Sequence, residues 1–111
     1  MSDAGLEPAL VDTIAVPDGN QEAVLAVFTD LFELLRGLDG FVEASLYKSV
    51  DGTRFLSYVQ MHSDVHLHAA EAHSEVKEHL RALRRIGYPH VHRYEPVLQA
   101  TPTRPPEPPD A

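Results

Sequence analysis

The sequence predicts one α+β domain with β-α-β-β-α-β order, the ferredoxin-like arrangement. Three observations carry this prediction. The hydrophobic period switches between about 3.6 and two residues along the chain, turn signals fall at each switch, and both alternating sets of the middle strands are largely apolar. A length of 111 residues leaves room for a single domain with a thin core.

Leu10 to Val16 (LVDTIAV) is short and rich in β-branched residues, and Pro17-Asp18-Gly19 stops it at a turn, so it reads as the first strand. Asn20 then suits a helix N-cap, with Glu22 near the positive end of the dipole. Val24, Val27, Phe28, Leu31, Leu34 and Leu35 recur at three- and four-residue steps as one apolar stripe, which Gly37 and Asp39-Gly40 terminate. Phe41 to Val50 and Thr53 to His62 read as two strands joined by a two-residue hairpin turn at Asp51-Gly52. Ser63-Asp64 opens a helical region to about Gly87, with a break foreseen near His73-Ser74. Tyr88 to Leu98 reads as the last strand, pushed to a sheet edge by Pro89 and Pro96.

Residues 1–7 are expected to be a flexible N-terminus, residues 8–98 the folded domain, and residues 99–111 a disordered tail. The segment Thr101 to Ala111 holds five of the nine prolines and no large apolar residue. Right-handed crossovers place both helical segments on one face of the sheet. The other face is expected to carry Val42, Leu46 and Leu56, or their alternates, and a second copy of the chain is the simplest cover for it. A homodimer is therefore expected.

The net charge of -8 disfavours nucleic acid and anionic membrane as partners. The chain has no cysteine, which excludes disulfides and thiolate metal sites. It has neither an apolar run of roughly 20 residues nor a secretory-type N-terminus, so a cytoplasmic location is expected. No phosphate-binding glycine loop and no nucleophile elbow is present.

Seven histidines are the compositional oddity. Taken as one continuous helix, the segment from His62 to His79 places His62, His66 and His73 within an arc of about 40°, along the apolar stripe. An imidazole there could accept a proton from a bound molecule at neutral pH. His66 or His73 is the candidate base, with Tyr58 or Arg54 holding the substrate oxygen. Gln60, Met61, His62, Phe28, Leu80 and Tyr94 complete the candidate substrate-binding set. Phe28 also fits the core stripe, Met61 fits core filling, and Tyr94 shares a strand parity with His90 and His92 that fits an exposed edge or a dimer contact. The basic run Lys77, Arg81, Arg84 and Arg85 reads first as a solvated helix face favoured by the dipole, and second as a guide for an anionic substrate or a flavin phosphate. No metal site is expected, because the His pairs lack an acidic third ligand at useful spacing.

Several phrases in this order resemble the antibiotic biosynthesis monooxygenase family. They are Val16-Pro17-Asp18-Gly19 before a helix, Leu38-Asp39-Gly40-Phe41 opening a strand, Ser49-Val50-Asp51-Gly52-Thr53-Arg54 at a hairpin, and Tyr58-Val59-Gln60-Met61-His62-Ser63 running into a helix. The resemblance covers roughly residues 8–98. It implies a dimeric α+β barrel with a pocket between sheet and helices in each subunit. It further implies an oxygenase acting on a polycyclic aromatic polyketide or a quinol, with molecular oxygen as co-substrate. The reaction is either cofactor-free or uses reduced flavin (FADH2 or FMNH2) delivered by a flavin reductase. Met61 stands where the family often has Trp, and the chain has no Trp at all, so the anthrone-type pattern does not transfer. Two alternatives stay open: a polyketide cyclase or isomerase of the same fold, and a non-catalytic ligand-binding or accessory subunit.

Overall fold

The structure, a computed structural model, describes residues 7–104. Its elements are β1 (Ala9–Ala15), α1 (Gln21–Arg36), β2 (Phe41–Lys48), β3 (Arg54–Met61), α2 (Asp64–Ala72), α3 (Ser74–Ile86) and β4 (Tyr88–Tyr94). The strands form one antiparallel sheet in the order β2-β3-β1-β4. This is the expected ferredoxin-like order.

The pairing register assigns the two faces of the sheet. Asp12 lies opposite Ser57 on β3 and Val91 on β4, and Ile14 lies opposite Phe55 and Pro89. Because side chains alternate along a strand, Leu10, Asp12, Ile14, Phe55, Ser57, Val59 and Met61 share the face that the helices cover. On that face Val24, Phe28, Leu31 and Leu35 of α1, Leu67 and Ala70 of α2, and Val76 and Leu83 of α3 close the core. The spacing of the α1 residues is the three- and four-step stripe expected from the sequence, so this helix is held by burial of one face rather than by propensity alone.

The opposite face carries Val11 and Thr13 of β1, Ser45 and Tyr47 of β2, Leu56 and Tyr58 of β3, and Tyr88, His90, His92 and Tyr94 of β4. Tyr47, Leu56, Tyr88 and Tyr94 are exposed there. Leu46 was expected on this face, but it pairs with Ser57 and packs against the core. The register that runs unbroken from the hairpin end puts Leu46 opposite Ser57 and Tyr47 opposite Leu56, so Leu46 and Leu56 take opposite faces, and the bulge between Phe41 and Glu43 shifts only the start of β2.

Three further expectations are corrected. The β2–β3 connection is wider than a two-residue turn. Asp51 accepts hydrogen bonds from the Thr53 amide (3.0 Å), the Thr53 hydroxyl (2.7 Å) and the Ser49 hydroxyl (2.8 Å), and Ser49 N donates to Arg54 O across its base. The last strand stops at Tyr94 and not at Leu98. Tyr94 pairs with Ala9, the first residue of β1, so residues 95–104 meet no partner strand among the described residues, and Pro96 has no amide to donate. Asn20 stands at the N-cap of α1 but its side chain caps nothing there. Its Nδ2 instead donates to Ile86 O at 2.8 Å, which ties the start of α1 to the end of α3.

The helical region does break where foreseen. His73 has an extended backbone (φ -64°, ψ 130°), ends α2, and caps α3 by accepting the Glu75 amide at Nδ1. Close packing at Gly87 brings α3 into β4, because a Cβ there would stand 2.7 Å from Ile14 Cδ1. Residues 95–104 are outside any helix or strand. The expected flexible N-terminus and tail fall mostly on residues 1–6 and 105–111, which lie outside the described residues.

Candidate active site

Asp12 is the most unusual group on the helix-covered face. It is only 5% exposed, and its Oδ1 has no hydrogen-bond partner among the described residues. Leaving a buried carboxylate oxygen unpaired is costly, and the group answers by holding its proton. Burial pushes its pKa up from 3.8 to about 7, and the positive charge of Arg84 acts in the opposite direction. A carboxyl poised near neutrality inside an apolar cleft is the pattern expected of a proton-transferring group.

The surroundings fit that description. Asp12 and Ser57 form the floor of a chamber between sheet and helices, walled by Leu10, Leu31, Leu35, Val59, Leu67, Ala70, Val76 and Leu80. The space inside is about 30 Å³, far less than a fused-ring molecule occupies. Leu10, Glu71 and Leu80 belong both to this chamber and to an adjoining open groove of about 400 Å³, which Lys77, Arg81, Arg84 and Val91 complete. Glu71 stands at the junction. Its Oε1 accepts from Arg93 Nε (2.8 Å) and pairs with Arg93 Nη2 (2.7 Å), and the same Nη2 reaches His68 Nδ1 at 2.7 Å. This network straps α2 to the edge strand β4 beside the groove.

The sequence-derived site residues are scattered over the molecule. His66 and His73 do line one cleft of about 380 Å³, together with Leu38, Asp39, Val65, Ala69 and Ala70. That cleft lies on the outer side of α2, meeting the chamber only at Ala70. His66 Nδ1 is 2.8 Å from Ser63 Oγ and its Nε2 is 3.5 Å from Asp39 Oδ2. The ring occupies space that only a glycine leaves free, since a Cβ on Gly40 would collide with it. His73 uses its Nδ1 as a helix cap, and His62 is exposed on the segment before α2, its ring 6.4 Å from that of His66.

Tyr58, Arg54, Gln60 and Tyr94 lie on the opposite side of the sheet or at its end, so the structure does not bring them together with His66 or His73. Burial, then Glu43 and Glu7, push the Tyr58 phenol upward, which keeps it a hydrogen-bond donor. Phe28 and Met61 are fully buried in the core and neither lines the chamber. Leu80 is the one expected contact that walls both chamber and groove.

Asp12 was not singled out from the sequence, although a signal existed. It sits two residues before Ile14 and four before Val16, so the period-two rule places it on the buried parity. Among the described residues, no three His, Asp or Glu side chains converge in a way that could hold a metal ion, and no helix is long and apolar enough to cross a membrane.

Together, the four-stranded sheet, its one-sided helical cover and the chamber between them define a ferredoxin-like α+β protein with a buried acid in a small chamber beside an open groove. No protein-family model and no curated protein sequence matches the chain. Solved structures do. SnoaB, a cofactor-independent oxygenase from Streptomyces nogalater, superposes in a mutant form with a TM-score of 0.78 at 18% identity, over 90% of this chain and 100% of its own. A protein from Deinococcus radiodurans, provisionally described as an antibiotic biosynthesis monooxygenase, gives 0.77 at 13% identity, over 87% and 99% of the two chains. A similarly described protein from Nitrosomonas europaea gives 0.74 at 14%, over 87% and 96%. The shared property at these identities is the fold.

Proposed function

We propose that this protein is an oxygenase for an ionisable polycyclic aromatic molecule, with Asp12 as the proton acceptor. The single observation that carries this reading is the unpaired, buried Asp12 carboxyl held near neutral pKa at the floor of an apolar chamber. The fold shared with SnoaB, itself a cofactor-independent oxygenase, supports the class of reaction.

The chemistry follows from the acid's environment. Asp12 takes the phenolic proton and leaves a ring anion whose ring carbons are electron-rich. The anion passes one electron to molecular oxygen, giving a ring radical and superoxide. These join to form one carbon–oxygen bond, and the proton returns to the terminal oxygen of the hydroperoxide. Loss of water then leaves a carbonyl on the ring. The substrate has lost two hydrogens, one oxygen atom is on carbon, and the other is in water. Apolar walls from Leu31, Leu35, Leu67 and Leu80 would, once the helices part to widen the chamber beyond its roughly 30 Å³, hold a flat ring by its faces and exclude solvent from the radical pair. A reduced flavin supplied by a reductase would bring the activated oxygen itself. Lys77, Arg81 and Arg84 are the residues that could hold its phosphate.

A second copy of the chain is proposed as the cover of the open sheet face, where Tyr47, Leu56, Tyr88 and Tyr94 are exposed with few charges among them. The cleft at His66 and His73 is the alternative reaction site, favoured by the Asp39–His66–Ser63 alignment.

The test is oxygen uptake with hydroxylated anthracene- and naphthacene-type phenols, with and without reduced flavin. Asp12→Asn is expected to lower turnover by about 100-fold or more, whereas His66→Ala and His73→Ala leave it within a few-fold. Full activity in Asp12→Asn would end this reading, and loss confined to the histidine variants would move the site to the outer cleft. Altered cyclisation of a polyketone without oxygen uptake would instead identify a cyclase.

A further inference from the structure

We propose that the groove between α3 and β4 is an oxyanion subsite, which receives an acid group carried by the aromatic substrate whose reacting ring enters the chamber. This rests on the reading of the Asp12 chamber as the reaction site.

Lys77, Leu80, Arg81 and Arg84 stand at i, i+3, i+4 and i+7 of α3 and therefore share one face of the helix, and all four line the groove. The only acidic residue in that lining, Glu71, is already committed to Arg93 at 2.7 Å. Lys77 makes no ion pair among the described residues, and Arg81 makes only an exposed one to Glu78 at 3.3 Å, which a ligand could displace. The groove therefore presents unbalanced positive charge on a chain whose net charge is -8.

The helix dipole does not account for this row. It favours cations in the last turn, which covers Arg84 and Arg85. Lys77 is the fourth residue of α3, near the end where the dipole disfavours positive charge. Arg85 has the dipole's preference but does not line the groove. The three lining cations follow the groove rather than the helix end.

Position along the row sets the ligand's shape. Arg84 is the cation whose charge reaches Asp12, and Lys77 is seven residues earlier, about 10 Å along the helix axis. An acid group at the Lys77–Arg81 end and a phenol at the Asp12 end would thus be separated by the long axis of a fused-ring system. Leu10, Leu80 and Val91 supply the apolar floor between them.

An oxyanion could also be the phosphate of a flavin, so the experiment has separate arms. Dissociation constants are measured by fluorescence titration for rhein, a dihydroxyanthraquinone carboxylate, and for its methyl ester, and likewise for FMN and riboflavin. Wild-type protein and the Lys77→Gln/Arg81→Gln variant are compared at low and high salt. Rhein is expected to bind the wild type about tenfold more tightly than its ester, with the preference weakened by salt and reduced towards unity in the variant. Equal binding of acid and ester to the wild type, or a preference that survives in the variant, would overturn the proposal. A variant-sensitive preference for FMN over riboflavin, without one for rhein over its ester, would assign the groove to flavin phosphate and overturn it equally. The titrations need no turnover. A carboxylate preference alongside a fully active Asp12→Asn would therefore leave the subsite standing while the proposed reaction fell.

Discussion

At the scale of single residues, Asp12 joins function to stability. Its folded-state pKa of about 7 lies above the ordinary 3.8, so the fold binds its proton more tightly than the unfolded chain does. The stability tied to this group is therefore fully present below pH 3.8, declines as the pH rises, and is lost once the pH passes about 7. A shift of this size corresponds to at most roughly 4 kcal/mol. Asp12→Asn, which removes the titration and keeps the shape, should match the wild type in denaturant melts near pH 4 and exceed it above pH 7. A constant difference across that range would show that the fold does not raise the Asp12 pKa. Gly40 makes a second residue-scale prediction. Its φ of +83° and the His66 ring beside it leave no room for a side chain, so Gly40→Ala should cost roughly 1–3 kcal/mol and displace the imidazole, visible as a shifted His66 ring signal by NMR. Parity alone marked Asp12 as buried with Ile14 and Val16, but not that it would lack a partner, and Gly40 passes for an ordinary turn glycine, because the surroundings that constrain each one come from distant segments.

At the scale of elements, periodicity carried most of the fold. The stripe from Val24 to Leu35 and the alternation in β1 and β3 name their own elements and their own buried sides. Edges were less legible, since they depend on what the neighbouring segment does: β4 stops where β1 runs out, and Asn20 prefers a carbonyl 66 positions away to its own helix end. The hairpin between β2 and β3 shows a side chain overriding a dipeptide signal. Asp51, held at a pKa of about 2 by the Thr53 amide first and then by the Thr53 and Ser49 hydroxyls, organises the loop. Its stabilising effect is present above pH 3.8 and is lost as the pH falls through about 2. Asp51→Ala should thus lower Tm at pH 7 and converge with the wild type near pH 2. An unchanged Tm at pH 7 would show the loop to be held by its backbone alone.

At the scale of the whole molecule, the order of strands and the side on which the helices lie were readable from the chain, but the composition of the uncovered face was not. A greasy surface was expected there. The hairpin register of β2 turns Leu46 inward, and what remains is a surface of tyrosines, histidines and short side chains with Leu56 among them. Such a surface suits a partner that offers hydrogen bonds as well as contact area. Leu56→Asp is expected to convert a dimer into a monomer in multi-angle light scattering without loss of secondary structure by circular dichroism. A wild type that is already monomeric at micromolar concentration would refute the proposed assembly. The cross-tie from Asn20 to Ile86 has a consequence for how large guests are admitted. It ties the start of α1 to the end of α3, so a parting of these two helices that kept this bond would open as a wedge from that end. Guests would then be sorted by how far the wedge must swing, with each added ring demanding a larger rotation than the last.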